Sequence, residues 1–500
     1  MNLTLDEISK AVGGKLDAKQ KTDQIFEKIS IDTRTLKKGE VFWAIKGDHF
    51  DGNLFAKDAF KKGASCLVLN NRLSNQKDIQ SLFIPKIFVA DEIKALGDLA
   101  SHWRSLFHIP VLAITGSNGK TTTRAISSAL ISTRFRTHQT QGNLNNLIGL
   151  PLTLLDLNRN HEALVVEMGM NRLGEIKRLT EIVRPTLGLI TNVAPVHLEY
   201  LKTVENVAKA KGELFIEMPK DSLALVNEDD SFCPQLAMEA KIPKEQQVTF
   251  GWKKTAQIMV ERVRPWYDEV EKDLVRGSIV LIRDRRINKK GDVLELQFPL
   301  PGDHNVYNLL AAVTAALALD VNSEQIAKAI RTVQSVGSRS RIVKLSQKRF
   351  VLDDCYNANP TSMKMALHSL KALRGKEPAL AVLGEMLELG EESDKLHFEL
   401  GQEAAKSEIE ELYAVGEHAS EIAKGAEKEG MDPNRIHLIF EKSKGKPPDN
   451  LIEELANQLK SRFTSGKWLL LKGSRGMALE RVLEHIYREL GIKNGLNEKV

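Results

Sequence analysis

From residue 349 onward the chain alternates between two kinds of segment. Short β-rich runs, RFVLDD, ALAVLG, ELYAVG, RIHLIF and KWLLLKG, are separated by longer amphipathic stretches such as TSMKMALHSLKAL and NLIEELANQLKSRF. Strand–helix alternation of this kind predicts a parallel sheet with helices on both faces, a Rossmann-like domain. It lacks G-x-G-x-x-G, so dinucleotide binding is not supported. The middle of the chain alternates too. IPVLAI, EALVVEM, TLGLIT and SLALVN read as buried strands, 253–298 as added antiparallel strands, and NVYNLLAAVTAALALD and SEQIAKAIRTV as closing helices. The first hundred residues read as a mixed α+β module ending in the helix EIKALGDLASHWRSLF before Pro110. The expected architecture is α/β in three domains: 1–108 mixed α+β, 109–336 with a mostly parallel sheet, and 337–500 Rossmann-like.

Five hundred residues with 42% hydrophobic content suffice for several separate cores. The 71 Lys and Arg are interspersed with 66 Asp and Glu for a net charge of +5, with no block of one sign. A nucleic-acid partner is therefore not expected. The densest basic stretch, RDRRINKK at 283–290, reads as a solvated hairpin tip rather than a polyanion site. Cys66, Cys233 and Cys355 lie far apart without metal-ligand spacing, which fits a reducing compartment. MNLTLDEISKAVGG lacks a signal-peptide core, and no window of about 18 apolar residues occurs, so a soluble cytoplasmic protein without membrane insertion is expected.

The stretch VLAITGSNGKTTTRA carries the chemistry. A strand at 109–114 runs into Gly116-Ser117-Asn118-Gly119-Lys120-Thr121-Thr122, followed by a helix. Strand, glycine loop and helix N-terminus present backbone N–H groups to phosphate oxygens. Lys120 would neutralise the terminal phosphates and the Thr121 hydroxyl would ligate magnesium. The usual eight-residue phosphate loop has glycine where Ile114 stands, so a purely structural glycine turn is the competing reading. A magnesium-dependent ATPase also needs a strand-end carboxylate, and Glu167 closes EALVVEMG. Alone it reads equally as a glutamate facing water, just as a lone His197 reads as a packed histidine.

The shortened loop G-x-x-G-K-T-T resembles the ATP loop of the Mur ligase family, the amide-forming ligases of cell-wall precursor synthesis, and of its folylpolyglutamate synthase relatives. The resemblance covers all three domains. It implies ATP, two magnesium ions, His197 of TNVAPVHLEY at the second ion, and a carbon dioxide-derived carbamate on Lys211 of NVAKAKGELF. Lys209 is the second choice for the carbamate. It further places Gly142-Asn143 by the acceptor end of the nucleotide-sugar, Asn308 at the adenine edge and Asp354 at the ribose or phosphates. The arginine reaching ATP from the third domain would be Arg341 of SRSRIVKL, with Arg339 left open. Segment 30–64 is similar to the UDP-binding module of the later Mur ligases, with Ser30, Thr33, Arg34, Lys46 and Asp51 at matching positions. Asn53 stands where a histidine commonly follows.

Enzymes of the family that add the third residue usually carry Asp-Asn-Pro-Arg, which is absent; DPNR at 432–435 has another order. DDCYNANPTSM, VLGEMLELGEES and LKGSRGM resemble the branch that adds D-Ala-D-Ala to UDP-N-acetylmuramoyl-tripeptide. That resemblance places Tyr356, Asn357 and Asn359 at the dipeptide. The implied catalytic set is Lys120, Glu167, His197 and Lys211, with Thr121, Glu167, His197 and carbamylated Lys211 on the metals. A monomer is expected, hinged near 335–340 around Gly337. The competing activities are third-residue ligation and a phosphate-loop ATPase without ligase activity. No base for the incoming amine stands out, His197 being a weak candidate.

Overall fold

The computed structural model describes residues 1–17, 24–47, 50–267, 275–286, 290–345, 348–439 and 446–489. Three sheets follow one another along the chain. The first places Lys15–Asp17, Lys86–Val89, Cys66–Asn70, Val41–Trp43 and Ile29–Ser30 side by side. Every pairing in it is parallel except that of Lys15–Asp17 with Lys86–Val89. The mixed α+β module expected here is thus built on a mostly parallel sheet. Helix Ala56–Lys61 separates Val41–Trp43 from Cys66–Asn70, and such a crossover returns the chain in the same direction.

The nine-stranded central sheet runs, from one edge, Asp292–Phe298, Val275–Asp284, Ile258–Tyr267, Gln247–Gly251, Leu223–Asn227, Leu187–Ile190, Val111–Thr115, Ala163–Glu167 and Thr137–Gln139. The first two strands are antiparallel additions and the rest pair parallel. All five residues of Val111–Thr115 are buried, as expected for a strand covered on both faces. One face packs against helices Lys120–Ile131, Asp303–Ala318 and Ser323–Ile330. The other is continuous with the core of the first domain through helix Glu92–Ser105. That helix is capped by Asp91, which accepts from the N–H groups of Ile93 and Lys94, and it buries Leu96, Leu99, Ala100 and Trp103. The Trp103 indole N–H reaches the Leu157 carbonyl at 3.1 Å. At the 283–290 hairpin, Arg283 pairs with Glu261 and Arg286 with Asp284, and 287–289 lie outside the described residues.

The third sheet orders Arg341–Leu345, Arg349–Asp353, Trp468–Lys472, Ala379–Gly384, Glu411–Val415 and Ile436–Ile439. Only its first pair is antiparallel among the described strands. Apolar clusters cover both faces. Helix Pro360–Arg374 opens on Asn359, whose side chain accepts from the Ser362 N–H, with Pro360 in the first turn where its missing N–H costs nothing. The three cysteines are free and buried, one in each sheet region. No helix among the described residues is long and apolar enough to cross a membrane.

Candidate active site

The glycine loop owes its short form to the strand before it. Ile114 is wholly buried inside Val111–Thr115, paired with neighbouring strands at Leu189 and Glu167. The turn therefore begins only at Gly116, with φ 147°, and ends at Gly119, with φ 80°. A side chain on Gly116 would run into the Thr191 hydroxyl, and one on Gly119 into the Asn308 amide. The N–H groups of Ser117 and Asn118 are bound by the carbonyl and side-chain oxygens of Asn192, at 2.9 and 3.0 Å. Those of Lys120, Thr121 and Thr122 open the next helix and have no intrahelical acceptor. The Lys120 ammonium bends back over the loop to the Gly116 carbonyl at 2.7 Å. Burial pushes its pKa down, with the Glu167 charge opposing and Arg339 adding to the shift.

Glu167 ends its strand with 2% of its surface exposed. Its Oε1 accepts from the Asn145 amide at 2.8 Å. Its Oε2 lies 3.6 Å from Arg124 Nε, an ion-pair distance at which neither atom completes a hydrogen bond. Lys211, on helix Val204–Glu217, is also 2% exposed. Its ammonium forms no hydrogen bond or ion pair among the described residues, and burial, reinforced by the charge of Lys120, pushes its pKa well below the ordinary lysine value. His197 follows Leu187–Ile190 in the left-handed region at φ 54°. Asn308, on helix Asp303–Ala318, accepts from the Thr123 hydroxyl at 3.2 Å and donates to Asn305 at 3.0 Å. One cleft of about 810 Å³ collects Ser117 to Thr122, Asn143, Glu167, His197, Lys211 and Asn308, while Gly116 sits behind its wall.

The third domain closes the opposite side. Asp354 accepts from the Ser340 N–H at 2.9 Å and from the Lys472 ammonium at 2.5 Å, and Lys472 also reaches the Asn357 carbonyl at 3.1 Å. The Asn359 amide donates to Asn118 Oδ1 at 2.6 Å, tying this domain to the glycine loop. The two arginines part company. Arg339 lines the cleft with its guanidinium 3.4 Å from the centre of the Tyr356 ring. Arg341, the one expected there, stands on the antiparallel edge strand off the cleft wall and donates to buried Asp353 at 2.9 Å. The reason is the pairing of the edge strand: it brings Arg341 directly opposite Asp353, whose carboxylate engages the guanidinium.

The residues expected to hold the uridine end do not join this cleft. Arg34 forks onto Asp32, whose carboxyl is held down to about 2 by that hydrogen-bonded pairing. The Ser30 hydroxyl donates to the Asp32 carbonyl, the Thr33 carbonyl accepts from Lys62, and Lys46 and Asp51 face each other across an antiparallel backbone bridge. Asp51 and Arg72 pair beside a second hollow of about 490 Å³. Asn53 is buried and donates to Asp51 at 2.9 Å and to Glu92 at 2.7 Å, so the residue standing in place of histidine holds the turn together.

Sequence reasoning passed over Asn145, Asn192, Glu388 and Lys472, which orient the groups it did find. All four lie inside segments already singled out, QGNLNNLIG, TNVAPVHLEY, VLGEMLELGEES and LKGSRGM, but nothing local marks their partners. The unsatisfied Glu167 Oε2 and the hydroxyl of Thr121, which lines the same cleft, are hard oxygen donors that fit a divalent cation. An unmodified Lys211 ammonium repels one.

The comparisons cover nearly all of the chain. Residues 26–104 match the Mur ligase family catalytic domain, 114–316 the Mur ligase middle domain, and 338–475 the Mur ligase glutamate ligase domain. A curated relative from Bacillus subtilis, UDP-N-acetylmuramoyl-tripeptide--D-alanyl-D-alanine ligase, is 30% identical over 97% of this chain and 98% of its own. The crystal structure of MurF from Acinetobacter baumannii superposes with a TM-score of 0.84 at 28% identity, covering 98% of this chain and 99% of the other. MurF ligase from Thermotoga maritima in complex with ADP gives 0.75 at 26% identity, over 93% and 98%. With matches in all three sheet regions, this chain belongs to the Mur ligase family.

Proposed function

We propose that this protein joins D-Ala-D-Ala to the terminal carboxylate of UDP-N-acetylmuramoyl-tripeptide, consuming ATP, in cytoplasmic peptidoglycan precursor synthesis. The observation that carries the reading is a single cleft in which the glycine loop, Glu167 and Lys211 face Arg339, Asp354 and Tyr356 of the third domain. The relatives named for this activity support it. We further take the chain to act as a monomer with domain limits 1–108, 109–336 and 337–500.

A carboxylate and an amine at neutral pH form a salt, so the carboxylate must first be activated. In our reading the helix N-terminus at Lys120 to Thr122 cradles the phosphates of ATP and the Lys120 side chain exchanges its Gly116 contact for them. Arg339, rather than Arg341, supplies the positive charge from the third domain, because Arg341 is committed to Asp353. Asn308 stands at the adenine side and Asp354, oriented by Lys472, at the ribose or phosphates. Thr121, Glu167, His197 and Lys211 would hold two magnesium ions. When bound, these supply neutralisation of phosphate charge. A carbamate on Lys211 converts a repelling buried cation into an oxygen ligand of the right sign, and the neutral amine favoured by its burial is the form that attacks carbon dioxide.

The substrate carboxylate attacks the γ-phosphorus, the bond to the β-bridging oxygen breaks, and ADP leaves. The amine of D-Ala-D-Ala then attacks the acyl phosphate carbon, a proton is lost from nitrogen, and phosphate departs with the electron pair of the broken C–O bond. Tyr356, Asn357 and Asn359 border the place where the dipeptide would enter, beside the loop that Asn359 touches. The test is phosphate release with UDP-N-acetylmuramoyl-tripeptide, adding and omitting D-Ala-D-Ala. Release that depends on the dipeptide is expected. Turnover supported instead by a free diamino acid and the UDP-dipeptide would select the third-residue ligase, and turnover without any acceptor a plain ATPase.

A further inference from the structure

Glu388 comes from the third domain, between strand Ala379–Gly384 and helix Ser393–Lys406, yet its carboxylate meets the central domain. Its Oε2 lies 2.6 Å from Nδ1 of His197. The contact is framed by backbone: the Glu199 N–H donates to the Glu388 carbonyl at 3.1 Å, and Gly390 lies so close that a Cβ there would stand 3.4 Å from the Glu199 Cα. His197 and Glu388 both hold left-handed φ values, 54° and 63°, which residues with side chains rarely adopt. Uncommon backbone conformations thus stand on both sides of this meeting point.

A carboxylate on Nδ1 fixes the imidazole tautomer and ring plane and leaves the Nε2 lone pair free for a ligand. We propose that Glu388 is a positioning residue that orients His197 toward the second of the two magnesium ions, and that the contact it makes from the third domain thereby completes that ion's site. The inference rests on His197 having the metal role given above. With side chains 42% and 26% exposed, Glu388 and His197 form a solvent-screened pair too weak to hold two domains together. Its effect therefore lies in orientation rather than in docking strength. Nothing in the sequence pattern links the two positions, which are 191 residues apart.

The experiment uses the full-length chain as His197→Ala, Glu388→Ala, Glu388→Gln and the double alanine variant. Calorimetry measures the magnesium concentration needed for half-maximal binding of a non-hydrolysable ATP analogue, and small-angle scattering follows compaction on binding. Both single alanine variants are expected to raise the magnesium requirement about tenfold. Glu388→Gln, which keeps an oxygen acceptor for the Nδ1 proton, restores most of the loss, and the double variant is no worse than His197→Ala. Compaction persists in Glu388→Ala at saturating magnesium. If His197→Ala raises the requirement and Glu388→Ala does not, the proposal is overturned while the metal role of His197 stands. If neither raises it, that role falls and the proposal with it. Loss of compaction in Glu388→Ala with an unchanged magnesium requirement marks a simple domain clasp and also overturns the proposal.

Discussion

In the central cleft Glu167 and Lys211 are almost wholly buried and incompletely partnered, whereas on the first domain Asp32 and Arg34 stand near solvent and satisfy each other. The two arrangements carry different costs. A buried polar atom without a hydrogen bond costs about 1–3 kcal/mol, which a ligand that satisfies it returns. An exposed ion pair contributes about 0–1 kcal/mol, so its members are free to change partners. The first arrangement suits chemistry, where groups must be in place before the substrate arrives; the second suits recognition by exchange.

The largest effect should come from the buried side. Lys211→Ala is expected to lower dipeptide-dependent phosphate release about 100- to 1000-fold while leaving the fold intact, as thermal unfolding would show. Unaltered turnover would break the contrast, because Lys211 would then be a packing residue.

Next comes a control for burial itself. His397 is fully buried but satisfied: its Nδ1 proton goes to the Ser393 carbonyl at 2.7 Å and its Nε2 accepts from the Met386 N–H at 3.0 Å. Burial holds its pKa down to about 4. Between that value and the ordinary 6.5 the unfolded chain binds a proton that the native chain does not, so stability is complete above about 6.5 and falls as pH drops toward 4. Urea unfolding at pH 7 and pH 4.5 should differ by about 2 kcal/mol through this group, and the difference should shrink in His397→Asn. A pH-independent stability would remove the distinction between buried-satisfied and buried-unsatisfied groups.

Gly119→Ala tests the loop that carries the cleft. With φ 80° and the Asn308 amide against the added methyl, it should cost about 1–3 kcal/mol of stability and weaken ATP binding, read by chemical unfolding and calorimetry. The smallest change in stability belongs to the exposed side. Arg34→Ala should leave unfolding essentially unshifted while raising the KM for the nucleotide-sugar, and a loss of stability alongside the loss of binding would contradict the exchange argument.

The same contrast explains what was legible in the sequence. The glycine loop, the strand-end glutamate and the alternating strands and helices follow from local rules: a positive φ needs glycine, and a buried strand needs an apolar run. Arg339 and Arg341 are two residues apart and chemically identical, and only strand pairing shows that Arg341 faces Asp353. Glu388, Lys472 and Asn145 act through partners far along the chain, which no local pattern records. The crossover in the first domain was likewise obscured, because its strands Ile29–Ser30 and Val41–Trp43 are too short to announce themselves.

Cys66, Cys233 and Cys355 each sit in a different sheet region, and burial pushes all three thiols up, Cys66 to about 12. An alkylating reagent that needs the thiolate thus meets no ready target while the molecule is folded. Each lobe carries its own silent reporter, and the order in which the three sulfurs become labelled under denaturant reads out which lobe opens first.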